Sequence, residues 1–431
     1  MLKSFLKVSL IWVFSLTLAH ADLTIEIDQS DENALPIAMV PLAWQGAAST
    51  APVDLASVMA ANFHRTGKFR PIDEADMPQL PHSLEEVRYD QWRNLDVDTL
   101  ITGSIQEDSP GFYTIDLYLI DVLRRQQVIA KRWANIPQKW LRKVAHQMSD
   151  LAYKELTGIR GAFSTQIAYV TLEKVDGERR YALEVADADG FGAQKILKSS
   201  FPIMSPSWSP DGKQLAYVSF ENGRSEVFAQ SLDGKYRELL ASFKGINGAP
   251  AWSPDGKQMA ITLSKDGSAD IYIMDLKTKN LRRLTTNWAI ETEAVWSSNG
   301  RSLFYNSDRR GQPQIFQVFL DTGEERRVSF EGNYNANPEI SPDGRYLAMV
   351  HGSGGFHIGV LDLYTNDFSI ITKTFLDESP SFSPNGEMIL YAMNRGGVGR
   401  LASVSVDGRI TQIISSTSGQ VREPAWGPFK D

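Results

Sequence analysis

Through most of the chain the apolar residues come in short runs cut by tight polar turns. Residues 206–242 show the unit: a short strand at 207–209, the turn Pro210-Asp211-Gly212, a strand at 215–220, and a turn at 221–224. A strand at 227–231, the turn Asp233-Gly234 and a last strand at 236–240 complete it. Asp-Gly and Asn-Gly supply the positive-φ residues that tight hairpins need, so this pattern predicts four antiparallel strands.

The unit recurs. Trp208-Ser209-Pro210-Asp211-Gly212 returns as Trp252-Ser253-Pro254-Asp255-Gly256 and as Trp296-Ser297-Ser298-Asn299-Gly300. It returns again with Ile340 and then Phe382 in place of Trp, and in truncated form at Trp426-Gly427-Pro428. Successive markers lie 44, 44, 44, 42 and 44 residues apart. Four strands in a period of that length form a propeller blade. The sixth copy has no sequence left to finish its blade. The missing strands stand upstream, where 166–170, 181–186 and 194–197 echo the second, third and fourth strands. The expected architecture is an all-β six-bladed propeller whose C-terminal strand closes the ring, with residues 163–200 supplying the rest of that blade.

Ahead of the repeats the period changes. Leu55, Val58, Met59 and Phe63 keep helical spacing up to Gly67, and Leu141, Val144, Met148 and Leu151 form one apolar stripe on a helix at 138–156. Ser83 reads as the N-cap of another helix ending near Leu95. Residues 37–42, 99–102, 113–122 and 127–133 read as strands, so an α/β domain precedes the propeller. Asp22-Leu23-Thr24-Ile25-Glu26-Ile27-Asp28 alternates with period two, as an edge strand does, or a tail that adds to another protein's sheet.

The first residues are of another kind. Lys3 and Lys7 precede an apolar run from Val8 to Leu18, and Ala19-His20-Ala21 gives a small-x-small cleavage site. An export signal removed after Ala21 is expected, the run being short for a membrane-spanning helix.

Composition narrows the function classes. The formal net charge is −8, and loss of Lys3 and Lys7 takes it to −10, which disfavours nucleic acid and anionic membrane surfaces. With no cysteine, the chain has no disulfide framework, thiolate metal site or Cys nucleophile. The histidines after the signal are dispersed, and no Gly-x-Ser-x-Gly elbow accompanies His351-Gly352-Ser353-Gly354-Gly355. Catalysis is not expected.

Topology then sorts the loops. The repeated Asp211, Asp255 and Asp343 sit in tight turns on one face and read as scaffold, because Asp bonds its own neighbouring amides. The variable connections on the other face read as the working surface. Just ahead of each marker, Met204-Ser205, Gly248-Ala249, Thr292-Glu293, Ala336-Asn337, Glu378-Ser379 and Arg422-Glu423 are expected to enter the axial mouth together. With Glu291 and Asp377 added, five carboxylates face one Arg. Such a funnel suits a basic or amide-rich peptide, or a divalent cation such as calcium in the propeller channel.

The export signal, the Ile25-Glu26-Ile27-Asp28 start, Val40-Pro41-Leu42, the junction from Glu155 to Phe163 (Glu-Leu-Thr-Gly-Ile-Arg-Gly-Ala-Phe) and the Trp-Ser-Pro-Asp-Gly blades together resemble the TolB family of the Tol-Pal envelope system. The resemblance covers essentially the whole chain after the signal. It implies a periplasmic binding protein that holds the lipoprotein Pal at the propeller mouth, where colicin-type peptides also bind, and the C-terminal domain of TolA through its extreme N-terminus. Carried onto this chain, the TolA-binding residues are Asp22, Leu23, Thr24, Ile25, Glu26, Ile27 and Asp28. The Pal-binding residues are Met204, Ser205, Ile246, Asn247, Gly248, Ala249, Thr292, Glu293, Asn337, Glu378, Arg422 and Glu423. The implied layout is a signal at 1–21, a partner-binding segment at 22–33, the α/β domain at 34–158 and the propeller at 159–431. The alternative is an exported propeller hydrolase or lyase, or a carbohydrate or small-ligand binder.

Overall fold

The computed structural model describes residues 26–27, 34–414 and 419–430. The export signal and most of the 22–33 segment lie outside the described residues.

The N-terminal domain is built on a mixed sheet. Strands β1 (Leu35–Met39), β2 (Phe69–Pro71) and β3 (Thr99–Ser109) run parallel, and β4 (Phe112–Asp121) and β5 (Gln126–Pro137) extend it antiparallel. Two helices cover one face. The first, α1 (Leu55–His64), starts where Asp54 Oδ1 accepts from the Ser57 amide at 3.0 Å, filling one of the amides a helix start leaves open. The second, α2 (Leu141–Thr157), ends at Gly158, whose φ of 78° lets the chain leave the helix. Phe63, Phe69 and Tyr153 from these elements, with Phe163 from the segment after α2, pack edge-on and stacked over Ile37, Leu117 and Leu119 of the sheet.

The helix expected after Ser83 is largely absent. Glu86 turns back to accept from the His82 amide at 2.7 Å, and Val87 N bonds Leu84 O, which closes a turn. Helix resumes only over Tyr89–Arg93, where Trp92 can enter the apolar layer with Val87 and Val97 beneath the second sheet face.

The propeller has six antiparallel four-stranded blades. In blade one the innermost strand is Gln420–Trp426, paired to Gln166–Val175 with Val421 opposite Thr171, so the ring is closed by its own last strand. Blades two to six begin with the inner strands Ile203–Trp208, Asn247–Trp252, Glu291–Trp296, Asn335–Ile340 and Asp377–Phe382. Blade six gains a fifth strand, Glu26–Ile27, on its outer edge at Thr411–Ile414.

The repeated phrase is scaffold at every residue. Ser209 Oγ accepts from Gln214 N, and Asp211 Oδ1 accepts from Lys213 N; Ser253 with Asp255 and Ser341 with Asp343 repeat the arrangement. The indoles tie neighbouring blades. Trp208, Trp252 and Trp296 Nε1 each donate to an inner-strand carbonyl of the blade before, at Ala425, Ser207 and Ala251. Between those ties the sheets bury apolar faces, as where Ala216, Val218 and Val227 meet Met259, Ile261 and Tyr272.

The N-terminal domain docks on the face that carries these turns. Tyr153 donates to Glu387 Oε2 at 2.7 Å, Lys68 pairs with the same carboxylate, and Asn385 Nδ2 donates to Arg160 O at 3.1 Å. Gln412 of blade six donates to Arg65 O. The opposite face is left open. No helix among the described residues is long and apolar enough to cross a membrane.

Candidate partner-binding face

Each inner strand is broken by a bulge two or three residues after it begins. At the break stand Ser205, Ala249, Glu293, Asn337, Ser379 and Glu423, with φ of 51°, 45°, 55°, 52°, 54° and 48°. None is glycine, so each kink costs on the order of 1 kcal/mol or more. At Ser205 and Asn337 the kink presents the backbone amide to a carboxylate of the blade behind. Glu423 accepts from Ser205 N, and Glu293 Oε2 accepts from Asn337 N at 3.1 Å as well as from Asn306. Two of the funnel carboxylates thus also stitch adjacent blades.

The channel so formed encloses about 920 Å³ and is lined by Ser205, Ala249, Glu293, Asn337, Glu378 and Glu423, with Glu339 deeper in. Its carboxyls hold their protons unusually well. Burial pushes Glu423 up to about 7, the Ser205 amide opposing and the charges of Glu378 and Glu293 adding. Burial takes Glu339 up to about 8 against a hydrogen bond from the Phe382 amide. Glu293 and Glu378 are raised as well, first by burial, with Arg422 pulling Glu378 back.

Around this polar throat the loops ahead of the inner strands of blades two to six expose large apolar side chains. Trp288 is 79% exposed, Phe330 70%, Phe375 65% and Ile246 51%, with Met204, Phe201, Ile290 and Leu376 beside them. Large apolar side chains exposed together around one mouth mark an interaction surface.

The sequence-derived residues fall into three groups. Met204, Ile246, Glu378 and Arg422 are exposed on the rim or mouth, and Ser205, Gly248, Ala249, Thr292, Glu293, Asn337 and Glu423 are half-buried around the throat. Asn247 is buried, its side chain bonded to Phe243 N and O, so it shapes the loop beneath Ile246 rather than offering a surface. Glu291 and Asp377 are not in the funnel as free charges. Glu291 is wholly buried against Arg309, and the Asp377 carboxylate is taken by Thr372 and Thr374, because both sit one pleat earlier and point into the blade.

Trp288, Phe330 and Phe375 went unread in the sequence. Their signal was available in part: Trp288 is the one propeller tryptophan outside the repeat frame. Of the Asp22 to Asp28 segment, only Glu26 and Ile27 are described, paired with Ile413 and Gln412.

A ring held together by its conspicuous motifs, with an apolar rim about a carboxylate throat on its free face, defines a two-domain propeller scaffold for binding. Comparison with known proteins agrees with that class. The profile described as TolB amino-terminal domain matches residues 23–128, and that described as TolB beta propeller domain matches residues 153–430. A Tol-Pal system protein TolB from Hydrogenovibrio crunogenus is 68% identical over 413 residues, 96% of either chain. One from Thioalkalivibrio sulfidiphilus is 55% identical over 417 residues, 96% of this chain and 95% of that one. The crystal structure of TolB from Acinetobacter baumannii superposes with a TM-score of 0.87 at 37% identity, covering 95% of this chain and all of the other. The chain belongs to the TolB family of the Tol-Pal system. Its relatives are named for a place in that system and not for a reaction, in keeping with the non-enzymatic reading of the sequence.

Proposed function

We propose that the chain is an exported, periplasmic adaptor that holds Pal at the open propeller face and TolA through residues 22–28, supporting outer-membrane integrity and envelope constriction in cell division. Colicin-type peptides would compete for the same face. The observation that carries this reading is the apolar rim around the carboxylate throat, on the face opposite the N-terminal domain. Large aromatics at the centre of an interface carry most of its binding energy.

Trp288→Ala is therefore expected to weaken capture of purified Pal by about tenfold or more. Glu293→Lys should do the same, while Glu293→Gln, which still accepts from Asn337 N, should bind nearly normally. Undiminished capture by both Trp288→Ala and Glu293→Lys would remove this face from the reading. Deletion of residues 22–33 should abolish TolA capture and spare Pal capture; loss of both would mark the segment as structural. A divalent cation such as calcium in the propeller channel belongs to the same reading. Its uptake would displace protons from carboxyls held this high, a release that calorimetry in two buffers measures.

A further inference from the structure

The seam between the domains buries a cluster of charge that neither the ring nor the open face uses. His146 on α2 is wholly buried, and it meets Asp187 and Asp189 of blade one so that one ligand atom from each lies within 4.8 Å of the others. Arg142 pairs with Asp189 and lies 4.0 Å from the centre of the Phe191 ring. Arg65, Lys143, Asp150 and Lys430 complete the charged groups around it.

Three such ligand atoms invite a metal ion, but the hydrogen bonds refuse one. Asn62 Oδ1 accepts from Arg65 at 2.7 Å, which fixes the amide so that its Nδ2 faces His146 Nδ1 at 2.9 Å and Ser149 Oγ at 2.8 Å. Nδ1 must then be an acceptor, and the single proton of the neutral ring sits on Nε2, 3.7 Å from Asp189 Oδ2. A metal on Nε2 would need that proton to move to Nδ1, against an N–H donor.

The same geometry forbids a second ring proton. We propose that this cluster is an acid-sensitive latch between the N-terminal domain and the propeller, closed only while His146 is neutral. Protonation at Nδ1 would set two donors face to face, or turn Asn62 and strip Arg65 of its acceptor. Nothing outside the cluster relieves this, since His146 Nε2, Arg65 Nε and Arg142 Nε have no partner to exchange.

Burial lowers His146 to about 4, with Asp189 opposing and Arg65 and Arg142 adding, and parting the domains returns the ring toward 6.5. The latch is therefore at full strength above pH 6.5 and weakens as pH falls toward 4. At pH 5 the balance of open to closed shifts by about 30-fold. Asp187 acts in the other sense. Burial and then Asp189 raise it to about 6, so it gains a proton, and favours closure, over part of the same range. Asp150, raised by burial to about 6 against its bonds to Ser164 and Phe163, acts in the sense of Asp187. Wild type shows only the net of the three, and comparing Asp187→Asn with and without His146→Gln isolates His146.

The chain has no cysteine, so a single one at Ala162, a buried residue lining the interdomain cavity, reports opening by its rate of labelling with a dipyridyl disulfide. Rates are taken relative to the denatured chain at each pH. In the Asp187→Asn background, labelling from pH 7.5 to 5 should accelerate about 30-fold more than it does with His146→Gln added. Asn62→Asp, which offers Nδ1–H an acceptor, should raise the His146 titration point seen by NMR. The same pH dependence with and without His146→Gln, or a His146 that titrates near 6.5 in the docked protein, would overturn the proposal.

Discussion

Glu339 shows how far one residue can depart from its repeat. The corresponding positions are Ser207, Ala251, Val295, Ser381 and Ala425, none of them charged, so this position of the repeat carries a carboxyl in one blade alone. It holds its proton to about pH 8 and accepts from the Phe382 amide, much as Ser381 Oγ accepts from Trp426 N at the next junction. A carboxyl whose titration is raised by folding favours the fold when protonated. Its contribution is full below the ordinary range of a glutamate and is lost as pH rises to about 8. Glu339→Gln keeps an acceptor for the amide and removes the charge. The variant should be the more stable at pH 8, by an amount of order a few kcal/mol at most, and should match wild type near pH 4; urea melts at the two values measure this. The sequence displays the exception at 339, but the period alone does not say which pleat faces the axis, and Glu291 and Asp377 were misplaced for the same reason.

At the level of strands and helices, the ties between blades are unequal. Trp208, Trp252 and Trp296 each carry an indole hydrogen bond to the blade before, whereas Ile340 and Phe382 cannot. Trp252→Phe should keep most of the packing and lose the bond, costing about 1 kcal/mol in chemical denaturation. Trp252→Ala should cost about 3 kcal/mol or more. Strand existence was legible because turn residues punctuate every run; strand length was not, and 99–102 grew into the eleven-residue Thr99–Ser109 because pairing with β4 continues past the buried half. The helix after Ser83 failed for a tertiary reason. Its cap and spacing were adequate, but Val87 and Trp92 could not both reach the sheet from one continuous helix.

For the whole molecule, the repeat period alone carried the ring, its blade number and its closure, because a 44-residue interval leaves little room for another architecture. The open face was legible only as a location. Which side chains fill it depends on loops that share no pattern, and the seam cluster joins Arg65, His146 and Asp189 across distances in sequence that no motif spans. Removal of residues 423–431 deletes half of the inner strand of blade one. It should lower the melting temperature of the whole propeller in one transition rather than leave five stable blades.

That closing strand also sets an order of events. A chain delivered from its N-terminus first offers Gln166–Val175 long before Gln420–Trp426 arrives to cover it. Blade one waits, with an unpaired edge, until residues 420–426 have emerged. The ring cannot lock before that strand arrives, so closure is tied to the delivery of the last blade-forming segment and not to the first five blades.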